Sequence, residues 1–257
     1  MDNPKISIVT VTFNSGDYID DAIQSVLKQN YKNFEHIIID GLSTDNTIEV
    51  LKKYDHLKWI SEKDEGQSDA LNKGFKKCAG DIIGWLNSDD IYLENTFNLI
   101  VNEMQNSSID AIYGNYFFMN KNKEVIREVI AGKPSKFISN LVCFIPSTTF
   151  FFKKKIIDNN IIIDKNFYIC MDKEFFANLF SKNYKIHKID KSLANFRWHD
   201  SNKSIDSFKI KKIRYKEGLI IFNRYSKIKL PKNIIGIFLY FLFHQFALIY
   251  NGISKRI

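Results

Sequence analysis

Gly84-Trp85-Leu86-Asn87-Ser88-Asp89-Asp90 joins an apolar run, Ile82 to Leu86, to a polar end with two adjacent carboxylates. A short apolar run bounded by polar residues has the pattern of a buried strand. Two carboxylates side by side at its carboxyl end repel each other and lose hydration. A divalent cation offsets both effects, since Mg²⁺ and Mn²⁺ take hard oxygen ligands from one or two carboxylates and from substrate phosphates. The competing reading is a turn whose second Asp caps the next helix.

Upstream, the same pattern repeats. Residues 5–13 form an apolar strand, and residues 17–29 carry Ile19, Ala22, Ile23, Val26 and Leu27 at helical spacing. Phe34–Asp40 is a second strand that ends in an acid. The polar turn 40–47 follows, with Asp45 placed to cap a helix that runs to Tyr54. Leu57–Ser61 is a third strand, closed by Glu62-Lys63-Asp64-Glu65-Gly66. Residues 67–78 form a helix, 81–87 the fourth strand and 92–105 the helix after it. This βαβαβαβ order predicts a parallel sheet with right-handed crossovers. In such sheets ligands bind outside the carboxyl ends of the strands. Asp40, Asp64 and Asp89-Asp90 all stand at such ends, so they are expected on one rim, although each alone can serve as a cap.

Composition limits the alternatives. The 257 residues, 45% hydrophobic and 26% charged, suit one sizeable globular domain with an appendage. The amino-terminal apolar run lacks a basic leader and breaks at Asn14-Ser15-Gly16, unlike a signal peptide. Cys78, Cys143 and Cys170 lie far apart, without metal-site spacing, which predicts a reduced cytosolic chain with no disulfide or zinc site. The net charge of +8 is uneven: 12 Lys/Arg and 3 acids fall from Asp200 onward. The basicity therefore belongs to a tail that suits an anionic membrane, nucleic acid or solubility. Phe13-Asn14-Ser15-Gly16 occupies the first strand–helix turn, where a dinucleotide fold or P-loop would carry its glycine motif. A diphosphate must then be neutralised by metal and side chains.

Several stretches in order resemble the GT-A inverting glycosyltransferases of family two, over residues 5 to about 200. They are residues 8–14, 38–47, 61–74 and 84–90. The resemblance implies an α/β GT-A fold: a Rossmann-like, mostly parallel sheet flanked by helices, followed here by a C-terminal helical tail. It divides the chain into a glycosyltransferase domain, 1–206, and the tail, 207–257. Within the domain, residues 1–106 are the nucleotide-sugar half and 107–206 the acceptor half. It implies that Thr12 and Asn14 belong to the nucleotide pocket, that Asp40 accepts from the base, commonly uracil, and that Asp64 lies near base or ribose. Lys73 could face the phosphates beside Asp69, or the two form an ordinary i,i+4 pair. Asn87-Ser88-Asp89 fills the family's Asp-x-Asp slot. Asp89 is then the ligand for Mn²⁺ or Mg²⁺, with Asp90 a weaker candidate. Asn87 departs from the usual acid, which keeps alive the reading of an inactive scaffold. Ser88 is placed with the nucleotide-sugar contacts.

The acceptor half contains a predicted hairpin, 110–119 and 124–130, around Asn120-Lys121-Asn122-Lys123. Residues 145–150 resemble the segment that leads a strand back under the active site. Met171-Asp172 opens a helix where the family places its general base. Asp172 fills that role, with Glu174 next; the bland reading is an acid favoured by the helix dipole. After a strand at 184–190, the segment 196–204 resembles one that folds over the diphosphate. His199 there completes the metal shell, contacts phosphate or is structural. The resemblance implies an inverting transfer from a nucleoside-diphosphate sugar to a hydroxyl of a glycan or polyprenyl-diphosphate-linked acceptor.

In the tail, 207–225 is basic and amphipathic, and 233–253 is apolar with basic flanks. The second segment meets the length for spanning. Asn233, Tyr240, His244 and Asn251 nevertheless mark one polar helix face, which favours lying in the interface of an anionic membrane. Packing on the body, or on a second copy as a homodimer, is the third reading. The expectation is a peripheral protein on the inner face of the cytoplasmic membrane. A nucleic-acid binder using the tail would leave three acidic strand ends unexplained, so no nucleic-acid partner is expected. A nucleotidyltransferase would need a Gly- and Arg-rich phosphate loop.

Overall fold

The computed structural model describes residues 3–203, 205 and 207–250. β1 (Ile6–Thr12), β2 (Phe34–Asp40), β3 (Leu57–Ser61) and β4 (Ile82–Trp85) lie in the order β3-β2-β1-β4, all parallel. Strands of a parallel sheet are covered on both faces and therefore read as continuous apolar runs. Every residue of β1 and β4 is buried. The register sets Thr12 opposite Asp40 and Asp40 opposite Ser61, so the carboxyl ends of these strands are flush. Gly84 is required where β4 is pressed between neighbours. A Cβ there would stand 2.6 Å from the Phe151 ring and 2.7 Å from Ile8.

The crossovers are α1 (Ile19–Leu27), α2 (Thr47–Leu51) and α3 (Gln67–Lys77). Strand alternation sorts the core into two faces. Ile6 and Ile8 pack with Ala22 and Val26 of α1, whereas Val9 and Val11 pack with Ala70, Leu71 and Phe75 of α3. Asp45 does organise the start of α2, accepting from the Thr47 amide at 3.0 Å and from the Gly16 amide at 2.9 Å. The helix expected from residue 92 starts later. Ile91–Tyr92 is a short strand, β5, and α4 spans Thr96–Met104. Asn95 precedes α4 with φ of 62°, a left-handed conformation that a right-handed helix cannot run through.

The second half contains β6 (Ala111–Asn120) and β7 (Val125–Val129), the expected hairpin. Then come α5 (Lys136–Ser139), a 3₁₀ turn at Ser147–Thr149, β8 (Phe151–Lys153), α6 (Lys155–Asp158), α7 (Met171–Ser181) and β9 (Ile186–Trp198). β8 inserts antiparallel between β4 and β6. β9 runs parallel to β6 and carries β5 on its far side. The order is β3-β2-β1-β4-β8-β6-β9-β5, with β7 on β6, so the sheet is parallel in its first half and mixed in its second. β9 extends far beyond the expected 184–190. Its middle is too polar to read as a strand, and pairing with β6 carries it on to Trp198.

The tail forms α8 (Phe208–Tyr225) and α9 (Ile234–Tyr250). Neither makes a separate unit: Leu219, Ile221, Phe222 and Tyr240 share one core with Phe175 and Phe176 of α7. A boundary at residue 206 therefore does not separate two cores. Among the described residues no helix is long and apolar enough to cross a membrane. The expected end of that segment, with Asn251, lies outside the described residues.

Candidate active site

A cleft of about 1070 Å³ opens at the carboxyl ends of β1 and β4. Thr12 and Asn14 after β1, Asp64 after β3, and Asn87, Ser88 and Asp89 after β4 line it. Asp172 at the start of α7 and His199 after β9 line it too. These eight residues, spread over nearly the whole chain, face one space.

At its centre, Asp89 and His199 meet. Asp89 Oδ2 lies 3.0 Å from His199 Nε2 and accepts from Asn202 Nδ2 at 3.1 Å. Arg197 holds this corner from behind. Its buried guanidinium donates through Nε to the Asp89 carbonyl at 2.8 Å and pairs with Asp21 at 2.7 Å. The His199 ring stacks on Tyr18 with centroids 4.4 Å apart. His199 Nδ1 and Thr12 Oγ1 are buried, and neither finds a hydrogen-bond partner among the described residues. Asn14 adopts φ of 50° and is pinned on both sides. Its amide donates to Ser43 Oγ at 2.8 Å, and its Oδ1 accepts from the Thr44 amide at 2.8 Å. Ser88 Oγ donates to Ser15 Oγ at 2.9 Å.

Four expected site residues do not face the cleft. Asp40 is fully buried, and accepts from the Ser43 amide at 3.0 Å and the Ser61 hydroxyl at 2.6 Å. It braces the loop that holds Asn14, so contact with a base is not what its position offers. Lys73 stands 2.9 Å from Glu62 and donates to the Lys63 carbonyl at 2.8 Å, with Asp69 at 3.5 Å. Asp69 also pairs with Lys165 at 3.3 Å. The i,i+4 alternative therefore describes them, because α3 turns Gln67 and Ala70, not Asp69 and Lys73, to the cleft. Asp90 is fully buried: Oδ1 accepts from the Arg197 amide at 3.0 Å and Oδ2 from Asn87 Nδ2 at 2.8 Å and the Thr148 hydroxyl at 2.5 Å. Burial, then the neighbouring Asp89, pushes its pKa up to about 8. It is an internal brace, not a second metal ligand. Glu174, the alternative base, is buried against α8, accepting from Arg224 at 2.8 Å and from the Tyr225 hydroxyl.

Asp172 faces the cleft. Its Oδ1 accepts from the Lys173 amide at 2.7 Å and its Oδ2 from the Cys143 thiol at 3.5 Å. Glu217 of α8 sets the helix that carries it, accepting from the Tyr168, Ile169 and Cys170 amides at 2.8, 3.0 and 2.8 Å. Behind Asp172, the buried Lys173 ammonium donates to the Leu141 carbonyl at 3.0 Å and to Tyr240 Oη at 2.5 Å. Burial lowers its pKa to about 8.

Sequence reasoning assigned the basic charge to a tail apart from the site. Lys203, Lys211 and Arg214 in fact line the cleft. Lys203 donates to Gln67 Oε1 at 3.3 Å and sits 4.2 Å from the Tyr168 ring centroid. No spacing marked these residues, because their place depends on how α8 docks. Asn202 closes a turn with His199, its amide donating to the His199 carbonyl at 3.1 Å and its Oδ1 accepting from the His199 amide at 2.6 Å; no spacing marked it.

Among the described residues no group of three His, Cys, Asp or Glu side chains gathers around one point. Asp89 and His199 supply one oxygen and one nitrogen to the cleft. That pair fits a cation that completes its shell with diphosphate oxygens and water, the usual arrangement for a nucleotide metal.

The model of the family described as "Glycosyl transferase family 2" matches residues 7–180. The chain belongs to glycosyl transferase family 2. It is similar to "Poly(ribitol-phosphate) beta-N-acetylglucosaminyltransferase TarP" of Staphylococcus aureus, 33% identical over 71% of this chain and 60% of that one. It is also 35% identical, over 52% of its length and 54% of the relative, to the Escherichia coli "UDP-Glc:alpha-D-GlcNAc-diphosphoundecaprenol beta-1,3-glucosyltransferase WfgD". The matches thus span a little over half of these curated relatives. In fold, this family-2 chain resembles "Mannosyltransferase PcManGT from Pyrobaculum calidifontis in complex with GDP-Man and Mn2+", with a TM-score of 0.69 and 13% identity over 97% of this chain and 73% of that one. The expected α/β GT-A architecture is therefore the observed one.

Proposed function

We propose that the protein is a metal-dependent inverting glycosyltransferase that moves a sugar from a nucleoside-diphosphate donor, a UDP-sugar, to a hydroxyl of a glycan or polyprenyl-diphosphate-linked acceptor in surface-polysaccharide synthesis. The observation that carries this reading is the meeting of Asp89, His199 and Asp172, from three distant parts of the family-2 chain, in one cleft. The donor and acceptor in WfgD's name, and PcManGT's Mn²⁺, support the donor, the acceptor class and the cation.

Asp89 and His199 would hold Mn²⁺ or Mg²⁺, which would supply positive charge for the departing diphosphate. Thr12, Asn14, Asp64, Asn87 and Ser88 orient the nucleotide, and the unpaired Thr12 hydroxyl is a ready donor or acceptor for it. Lys203 and Arg214 add positive charge to the same wall. Asp172 accepts the proton of the acceptor hydroxyl as that oxygen attacks the anomeric carbon opposite the diphosphate, so one displacement inverts the centre. The test is a donor screen scored by released nucleoside diphosphate. Asp172→Asn is expected to lose transfer while keeping the UDP-induced thermal shift. Full turnover in that variant removes Asp172 from the mechanism, and absence of any nucleotide-dependent shift in the wild type removes the reading.

The acceptor's membrane is proposed from α9. Its Tyr240, His244, Gln245 and Leu248 line the cleft, while Phe238, Leu242 and Phe246 are exposed on its outer side. An apolar, aromatic face beside a basic helix suits an anionic bilayer. Docked there, the cleft receives a lipid-linked acceptor from the surface on which it resides.

A further inference from the structure

Four aromatic rings lie outside the three apolar clusters of the fold; Tyr116 is buried, while Phe118, Phe196 and Trp198 are half-buried. β6 and β9 pair in parallel with Phe118 opposite Phe196, and alternation sets Tyr116 and Phe118 beside Phe196 and Trp198. Their centroids form a chain: Tyr116 to Phe196 at 6.0 Å, Phe196 to Phe118 at 5.8 Å and Phe118 to Trp198 at 5.7 Å. The last two pairs are inclined by only 32° and 31°, so these rings present a shallow continuous surface. Arg127 of β7 completes it, with its guanidinium carbon 5.6 Å from the Phe118 centroid. All five side chains line the cleft, and none belongs to the three apolar clusters that hold the sheet and helices together.

Folding alone does not require this surface. The half-buried Phe118, Phe196 and Trp198 rings forgo part of their burial energy, and a contiguous set of such rings marks a binding surface. Their position identifies the ligand. Three to four strand spacings, roughly 15–20 Å, separate β1 and its nucleotide-facing end from β6 and β9. A donor base seated at β1–β3 is therefore not the group that reaches them. Trp198 directly precedes His199, so the rings adjoin the place where transfer would occur.

We infer that Tyr116, Phe118, Phe196 and Trp198, with Arg127, form an acceptor subsite for a pyranose ring that carries an anionic group. The sugar's C–H face lies on the Phe118–Trp198 surface, and Arg127 pairs with a phosphate or carboxylate on or beside that ring. Aromatic faces tolerate different hydroxyl patterns, whereas the guanidinium selects charge. This subsite rests on the glycosyltransferase reading.

The experiment is saturation-transfer NMR on the full chain with saturating UDP and Mn²⁺. The probes are glucose, galactose and N-acetylglucosamine, each with and without a 6-phosphate. Transfer to ring C–H protons is expected, strongest for the phosphates. It should fall roughly fivefold or more in Phe118→Ala and Trp198→Phe, the change expected from weakening one aromatic contact. Arg127→Ala should bring each phosphate down to its neutral sugar, and as a surface-hairpin variant it leaves folding intact. Melting curves and the UDP shift report on folding and on the donor site separately. No transfer to any probe, or equal transfer in the folded variants, overturns the subsite. A protein that shifts with UDP but binds no saccharide keeps the glycosyltransferase reading and loses this one. A protein with no UDP shift loses the UDP-sugar donor whatever the sugars do.

Discussion

Replacing Asp90 with alanine leaves three inward-facing donors without their acceptor: the Arg197 amide, the Thr148 hydroxyl and the Asn87 amide. Each unsatisfied buried donor costs roughly 1–3 kcal/mol, so urea denaturation should show a loss of about 3 kcal/mol or more. Asp89→Ala should cost under about 1 kcal/mol, since its carboxylate lines an open cleft, but should remove the Mn²⁺-dependent part of the UDP thermal shift. If both variants lose the same stability and the Mn²⁺ effect survives, the division of labour between them is wrong. The motif slot ranks Asp89 ahead of Asp90 as the ligand, but the bracing role of Asp90 is not legible in the sequence, because two of the donors that hold it come from positions 58 and 107 residues away. Glu35 makes a second residue-scale prediction. Burial alone would raise its pKa, but bonds from Lys58, Ser7, the Ala79 amide and Lys5 outweigh it and lower the value from 4.5 to about 2. A depressed carboxylate stabilises the fold fully above its unfolded pKa and loses that contribution as pH falls through the folded one. Glu35→Gln should therefore cost about 2 kcal/mol at pH 7, and its gap from wild type should narrow between pH 4.5 and 2. A gap that stays constant across that window rules out the carboxylate's charge as the cause.

At the scale of elements, α8 fixes the helix that bears Asp172. Glu217 accepts from three amides ahead of α7, and Arg224 pairs with Glu174 one turn in, at 2.8 Å. A carboxylate at a helix start both satisfies orphan amides and complements the dipole. Glu217→Gln keeps the shape but not the charge. It should cost about 1–2 kcal/mol and lower kcat more than the donor KM, because Asp172 sits on the loosened turn. Unchanged kcat with lowered stability would make Glu217 a purely structural cap. The helices themselves were legible from apolar spacing, and so was the βαβαβαβ order. Their docking was not. In α9, the spacing of Tyr240 and His244 marks a polar stripe that favours an interfacial helix. The structure turns them inward, with Tyr240 donating to the Leu141 carbonyl at 2.6 Å and the His244 centroid 5.7 Å from that of Tyr215. Buried acceptors and the Lys173 ammonium reward polar groups on the inner face, a force that a hydrophobicity pattern does not contain. Asn233 is not part of that stripe; it caps α9 by accepting from the Ile235 and Gly236 amides at 3.1 and 3.2 Å.

For the molecule as a whole, the inward polar stripe leaves Phe238, Leu242 and Phe246 of α9 outside, while Ile237, Leu239, Ala247 and Leu248 pack on the core. Phe238 is 59% exposed and Phe246 63%, on the wall opposite the one that lines the cleft. Such a surface persists only if something covers it. The lysines of α8 and of the link to α9, among them Lys209, Lys216 and Lys232, favour an anionic bilayer over a second copy of a chain whose own charge is +8. Removing residues 207–257 is a poor test, because α8 belongs to the core that α7 needs. Substitution on the outer face avoids this. Phe238→Ser with Phe246→Ser should leave the melting temperature nearly unchanged and reduce sedimentation with phosphatidylglycerol vesicles on the order of 100-fold in apparent affinity, given the apolar area removed. Binding should also weaken as salt rises, since the basic contribution is screened. If the double variant sediments with vesicles as the wild type does, α9 is not the membrane contact. If the wild type ignores vesicles but self-associates through this face, with the variant monomeric, the outer surface belongs to a homodimer. The acceptor must then reach Asp172 from solution, because the helix that flanks the cleft no longer rests on lipid.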